Sequence, residues 1–462
     1  MTTNKHHPYI PNSEEEVEAS LLRSLGLTDV EELFMDVPRS VRLDRPLKIP
    51  ESSSELEVER RIEEILKENL SIKDLPVFLG GGFWPHYVPA AVEEIVNRSE
   101  FLTSYTPYQP EISQGVLQAL FEFQSMVAQL TGMEYSNCSM YDCSSALGEA
   151  ARMAARFTGR LKILIPEFIS PLRERVLKTY VEPTGMRVIK YPQEDLTGQV
   201  DEEALKGLCD DGVAAVYIEN PSYLGFVEER VEFVEDTAHA AGAMLIVGVD
   251  PLSLGILKPP GDYGADIVVA EGQPLGLGLN YGGPGLGIMA CRDLSLLRQM
   301  PGRIVGMTQT VEGELPAFCL ALQSREQHIK REKATSNICT NNALCAIAAA
   351  VYLSLLGSDG LAELGKIIAA KSRYAMEALN SISKVEAPVF QAFHFKEFVV
   401  RIHAPIGVED LNERLLKHGV YGGLPLRSEF PKLGNAALLC VTEVHSKEDI
   451  DKLVEAIRLE VG

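Results

Sequence analysis

Between residues 162 and 290 the chain carries six short apolar runs, at 162–165, 187–191, 213–219, 244–247, 267–270 and 286–290, with helix-like stretches between them. A strand with one face in water alternates apolar and polar residues, whereas most of these runs are apolar throughout, as strands buried on both faces are. Strands that alternate with helices imply parallel pairing, because a parallel connection needs a crossover long enough to hold a helix. The pattern predicts an α/β fold with a large, mostly parallel sheet covered by helices.

The flanks differ from this centre. Residues 1–75 read as a helical N-terminal arm announced by three capping boxes, Ser13 with Glu16, Thr28 with Glu31 and Ser54 with Glu57. The third opens a helix on which Leu56, Ile62, Ile65 and Leu66 recur at helical spacing among charges, too charged to form a core alone and suited to packing across another domain or chain. After Gly80, Gly81 and Gly82 a Pro- and Tyr-rich stretch leads to a helix over 113–130, capped by Ser113 and closed by Gly132, and a second helix over 144–157 ends at Gly159. Beyond a polar link at 325–342, a smaller α/β unit is expected, with helices near 342–356, 360–380, 409–417 and 446–460 and strands near 387–391, 397–402 and 438–442. The expected division is therefore an arm at 1–75, a large domain at 76–335 and a small C-terminal domain at 336–462.

Bulk properties narrow the function. The 462 residues exceed one ordinary domain, and 46% hydrophobic with 23% charged residues is a globular mixture. A net charge of −22 argues against a nucleic-acid or anionic-membrane partner, since phosphate binding needs clustered Lys and Arg. The first eight residues lack the apolar core of a signal peptide, and the run from Ala343 to Gly357 is shorter than the ~20 residues of a membrane span. Eight cysteines, at 138, 143, 209, 291, 319, 339, 345 and 440, form no C-x-x-C pair, and nine histidines, including His6 and His7, show no metal-ligand spacing. A cytoplasmic protein without a metal centre is the expectation.

Four segments carry chemistry, and each has a plainer reading. The stiff loop from Ser104 to Gly115, with Tyr105, Pro107, Tyr108 and Pro110, is either a functional loop or a structural elbow. Asp142 to Ala146 opens a helix whose N-terminus can hold phosphate, but the charge of Asp142 opposes a dianion, which favours an ordinary N-cap. The glycine-rich run from Asp266 to Gly287 demands close backbone approach yet does not match G-x-G-x-x-G opening a helix, so a dinucleotide site is not indicated. The fourth, from Gln323 to Asn341, is locally basic and reads by itself as a solvated hinge helix.

Together the runs at 105–115, 282–287 and 325–338, with the Asp29–Pro38 region, resemble the glycine decarboxylase P-protein (glycine dehydrogenase, aminomethyl-transferring) along essentially the whole chain. The resemblance implies the type I, aspartate-aminotransferase-like fold of enzymes dependent on pyridoxal phosphate (PLP). Some P-proteins are one chain of two homologous halves and others are two subunits; the length here is that of one half. The cofactor-binding half carries His-Lys-Thr ahead of its glycine run. Here Gln273 or Pro274 stands at the lysine's place, depending on the direction of counting, and neither offers the free lone pair that Schiff-base formation needs. Lys258 lies upstream. Pro221 to Gly225 lacks the histidine that lies on the pyridine ring, and Gly248 stands where the pyridine nitrogen's acidic partner belongs, two residues from Asp250.

By this resemblance the chain is the α subunit (subunit 1), without a cofactor of its own and inactive alone. PLP sits on a β partner, in an α2β2 heterotetramer that decarboxylates glycine and passes the aminomethyl group to the lipoyl arm of H-protein. Tyr105 and Tyr108 are the residues expected to reach the partner's site. A stand-alone PLP enzyme using an atypical lysine such as Lys258, and a purely structural scaffold, are the competing readings. Arg325, Lys330, Arg331 and Lys333 form a salt-bridged hinge, a guide for an acidic carrier protein or a pairing face for the β subunit.

Overall fold

A computed structural model describes residues 9–462, so His6 and His7 lie outside the described residues. Two compact units divide at Asn69 and Leu70, where the arm had been expected to run to 75. In the first unit the box of Ser54 with Glu57 caps the helix Glu55–Leu66, whose Leu56, Ile62, Ile65 and Leu66 are exposed. The other two boxes need correction. The helix Glu15–Ser24 begins beyond Glu14, while the Ser13 hydroxyl donates to the Ile10 carbonyl. The cap expected at Thr28 is supplied one residue later by Asp29, which opens the short 3-10 helix Val30–Phe34, because Glu32 rather than Glu31 reaches back to the cap.

In the second unit seven strands form the large sheet: β1 (Tyr135–Ser136), β2 (Lys162–Pro166), β3 (Arg187–Tyr191), β4 (Val213–Glu219), β5 (Met244–Val249), β6 (Ile267–Glu271) and β7 (Gly287–Cys291). Their order is β1-β7-β6-β5-β4-β2-β3. The pairs β2–β3, β2–β4, β4–β5 and β5–β6 are parallel, whereas β7 runs antiparallel to both β6 and β1. Helices Pro171–Val181, Glu202–Leu208 and Val231–Ala240 cross between successive parallel strands. Side chains alternate across the pleat, so the sheet divides its apolar residues between two cores. Leu164, Val216, Leu245 and Val268 pack with Leu120, Phe123 and Val127 of the helix Gln114–Thr131. Ile163, Ala215, Ile246 and Ile267 pack with Ala146, Leu147 and Ala150 of the helix Cys143–Thr158. Each fully buried Leu or Ile is worth about 1.5–3 kcal/mol, which is what holds both helix layers on the sheet. Both helices end in left-handed glycines, Gly132 and Gly159, but Ser113 makes no capping hydrogen bond.

The hairpin of β8 (Ile304–Gln309) and β9 (Pro316–Ala321) fills a stretch with no strand expectation. The helix Ala343–Asn380 is long and apolar enough by composition to cross a membrane, but 44% of its apolar window is buried and the backbone breaks at Gly357, so its first part is a core helix. The antiparallel small sheet has the order β10-β11-β13-β12, from β10 (Val385–Glu386), β11 (Glu397–Ile402), β12 (Leu424–Pro425) and β13 (Ala436–Cys440). The strand expected at 387–391 is displaced to Val385 and Glu386, because these two residues pair with Ile402 and Arg401. Helices Val408–Lys417 and Lys447–Val461 cover this sheet. The segment around Phe78 joins it, since the Phe78 N–H donates to Tyr421 and the Phe78 carbonyl accepts from Cys440.

Candidate functional site

Parallel α/β sheets place their sites at the carboxyl ends of the strands. Here Glu219 ends β4, Asp250 follows β5 and Glu271 ends β6. The small lobe closes over them with Lys396 and Glu397 at the start of β11, and with the extended run from Trp84 to His86. Between these groups lies an enclosed chamber of about 30 Å³, lined by Trp84, Arg173, Glu219, Tyr223, Asp250 and Lys396.

Lys396 is the centre of this chamber. Its Nζ lies 2.5 Å from Asp250 Oδ2, 3.2 Å from His86 Nε2 and 3.6 Å from the centroid of the Trp84 ring. His86 Nδ1 is 2.8 Å from Glu443 Oε2. Burial, reinforced by the neighbouring Lys396 charge, lowers the His86 pKa, so a neutral imidazole donates to Glu443 and accepts from the lysine. Burial raises the Glu397 carboxyl to about 7, although Lys396 and the Gly81 N–H pull the other way.

Gln273 and Pro274, the two residues expected at the lysine's place, are both buried. Gln273 is fully buried; its Nε2 donates to the carbonyls of Trp84 (3.1 Å) and Leu277 (2.9 Å), and its Oε1 accepts from the Trp84 N–H (3.1 Å). At Gly248 any Cβ would lie 2.3 Å from the Tyr217 hydroxyl, which itself donates to Glu219 at 3.0 Å beside the Arg173–Glu219 ion pair. A carboxylate at 248 is therefore sterically excluded. The N-terminus of the helix Cys143–Thr158 is also taken. Asp142 accepts from Ser145, and the buried Glu271 carboxylate accepts from the N–H groups of Cys143, Gln273 and Leu286 at 3.1, 3.1 and 2.8 Å. Two carboxylates thus stand where a phosphate dianion would need free donors.

Pyridoxal phosphate does not fit the chamber around Lys396. A water molecule requires roughly 10–15 Å³ by the same measure, so the chamber suits about two waters and not a substituted pyridine ring. Pro274 is buried beside Gln273, and Lys258 is exposed on the connection before β6, outside the chamber lining. Lys396, which sequence reasoning missed, is the one lysine on that lining, and it is held by Asp250 at 2.5 Å. No local pattern marks it; its partners come from distant segments.

The two tyrosines lie elsewhere, and the structure brings them to the basic segment. Arg303 stacks on the Tyr108 ring at 4.5 Å and donates to its hydroxyl at 2.5 Å; it also bonds Glu326 at 3.2 Å and the Cys339 carbonyl. Tyr108 meets the His328 ring edge-on at 6.3 Å, and the Tyr105 hydroxyl lies 3.5 Å from that of Thr340. Arg303 therefore ties the 104–112 loop to the 326–340 segment, and nothing in its own neighbourhood of sequence announced that role. Tyr105 is 71% exposed, and neither tyrosine lines the chamber. Arg325 turns inward and donates to the carbonyls of Met300, Gly302 and Leu322. Asn341 and Asn342 bind Ser139 and the Gly285 carbonyl, fastening the same segment over the glycine-rich run.

The architecture is the type I fold of PLP-dependent enzymes. A glutamate decarboxylase from Lactobacillus brevis superposes with a TM-score of 0.66 at 15% identity, over 91% of this chain and 96% of that one, which speaks for the fold alone. The family described as Glycine cleavage system P-protein matches residues 7–457, and the chain belongs to it. Similar relatives are the probable glycine dehydrogenase (decarboxylating) subunit 1 of Aeropyrum pernix, 48% identical with 99% of each chain covered, and that of Staphylothermus marinus, 47% identical with 98% of this chain and 97% of the relative covered. A crystal structure of glycine decarboxylase (P-protein) of the glycine cleavage system, in inhibitor-bound form, is 39% identical with a TM-score of 0.87, covering 99% of this chain and 100% of that one.

Proposed function

We propose that this chain is the coenzyme-free subunit of a glycine-cleaving P-protein. It works with a PLP-bearing β subunit, in an α2β2 assembly, to decarboxylate glycine and pass the aminomethyl group to the lipoyl arm of H-protein. The observation that carries this reading is Gln273, an amide locked between Trp84 and Leu277 at the place of the coenzyme lysine. Losing carbon dioxide from an amino acid leaves an electron pair that a conjugated coenzyme must accept, which is the partner's contribution. This chain's own part is positional: Arg303 holds Tyr108, and the exposed Tyr105 is the residue proposed to act at the partner's site. The cytoplasm is its proposed location.

The competing reading of a stand-alone enzyme needs a free amine in the site. Lys258 lies outside it and Lys396 is committed to Asp250. The test is to purify the chain alone and with its partner, add PLP, and treat with borohydride. Reductive trapping is expected on the partner only, together with glycine-dependent turnover of the complex. Coenzyme trapped on a lysine of this chain overturns the proposal.

A further inference from the structure

The basic segment resolves into two kinds of cation. Arg325 is buried and spends its donors on main-chain carbonyls rather than on the ion pairs a salt-bridged hinge would need. Lys330, Arg331 and Lys333 are exposed, and none makes an ion pair or side-chain hydrogen bond with any described residue. His328, 41% exposed at its side chain, precedes them, and Glu332 is the sole acid among these positions. Arg331 also adopts φ +55°, a backbone conformation that a side chain of its size seldom takes unless its surroundings impose it. Those surroundings are rigid: Arg303 anchors Glu326 and Cys339 on either side of the cations, and Arg325 anchors the segment's start.

We infer that Lys330, Arg331 and Lys333, next to the exposed Ile329, form a docking face for an acidic surface on the lipoylated carrier; this rests on the function proposed above. The argument is electrostatic. The chain carries a net charge of −22, so most of its surface repels an anionic protein, and a fixed island of unpaired cations is where such a protein is steered. Permanent subunit interfaces are depleted of charge at their centres, whereas an exposed group of Lys and Arg suits a carrier that binds, delivers and leaves. The exposed Ile329 also leaves aliphatic surface for close contact once the charges have met.

The test uses the assembled complex and its lipoylated carrier, with the double variant Lys330→Glu and Lys333→Glu. Titration calorimetry gives the carrier's Kd, and steady-state turnover gives its KM, each at low and at physiological ionic strength. The wild-type complex is expected to bind the carrier more weakly as salt rises. The variant is expected to weaken binding about tenfold at low salt, with a flatter salt dependence, and to leave kcat, the KM for glycine and the mass of the complex unchanged. Unchanged carrier affinity overturns the inference. Loss of the partner subunit overturns it too, because the face would then belong to the permanent interface. A complex that binds carrier in this salt-dependent way but never turns glycine over contradicts the proposed function instead.

Discussion

Lys396 and Asp250 join the small lobe to the large one through a 2.5 Å ion pair, with side chains 3% and 9% exposed. Asp250 uses its other oxygen to accept from the Leu252 N–H, and the lysine is its one cationic partner among the described residues. Replacing Lys396 by Met leaves a buried carboxylate near Glu397 and Glu443. The expected destabilisation is about 3–5 kcal/mol in denaturant unfolding. Adding Asp250→Asn to that variant should recover most of the loss, because the pair, once absent on both sides, leaves no buried charge behind. A single variant as stable as the wild type would show that the lobes are held by apolar packing alone.

Glu397 gives the chain a pH signature. Its folded-state pKa is raised to about 7 from an ordinary 4.5 by burial. Below 4.5 both folded and unfolded states hold the proton and the group is neutral in its effect. As pH rises from there toward 7 the unfolded state ionises first, so this group's contribution to stability falls, and it is flat above. The size is at most about 3 kcal/mol. His86, whose pKa is lowered, acts in the opposite direction as pH falls, so the comparison must be between Glu397→Gln and wild type. The variant should gain stability relative to wild type between these values and keep that gain at pH 8 (roughly, from the same linkage). A difference independent of pH would remove Glu397 as the source.

Restoring the lysine should not restore the coenzyme. In Gln273→Lys the new ammonium would take the place of an amide whose side-chain partners are the carbonyls of Trp84 and Leu277 and the N–H of Trp84. The space at Gly248 remains filled by Tyr217, and Glu271 still occupies the helix N-terminus. The expected outcome is a loss of a few kcal/mol in stability and no borohydride-trapped PLP. Stoichiometric trapping would mean that the lysine alone separates the two subunits.

The central sheet was legible because β2, β4, β5 and β6 are buried on both faces and spell continuous apolar runs. The hairpin of β8 and β9 was not: β8 turns from buried to exposed along its length, and the apolar run of β9 opens on a proline, which argues against a strand. The two-residue strands β1, β10 and β12 are too short for any period to show. At the site, the family resemblance points to Gln273 or Pro274 at the lysine's place, but not to the contacts that hold Gln273 there. The contacts of Gln273 with Trp84, of Lys396 with Asp250 and of Arg303 with Tyr108 all join distant parts of the chain, and a single sequence carries no local trace of such pairs.

Tyr105 and Tyr108 are expected to fail differently when their hydroxyls are removed. Tyr108 accepts a hydrogen bond from Arg303, so Tyr108→Phe should cost about 1–2 kcal/mol of stability and loosen the 326–340 segment. Tyr105, 71% exposed and 3.5 Å from Thr340, should lose almost no stability as Phe. If its hydroxyl acts at the partner's site, turnover of the complex still falls by about tenfold, the rate equivalent of one hydrogen bond made in the transition state. The two variants thus separate support from contact: the first moves stability and turnover together, the second turnover alone. Sedimentation checks that both assemble. Full turnover in both variants would favour the scaffold reading, in which this chain closes and supports the partner without placing a group of its own beside glycine.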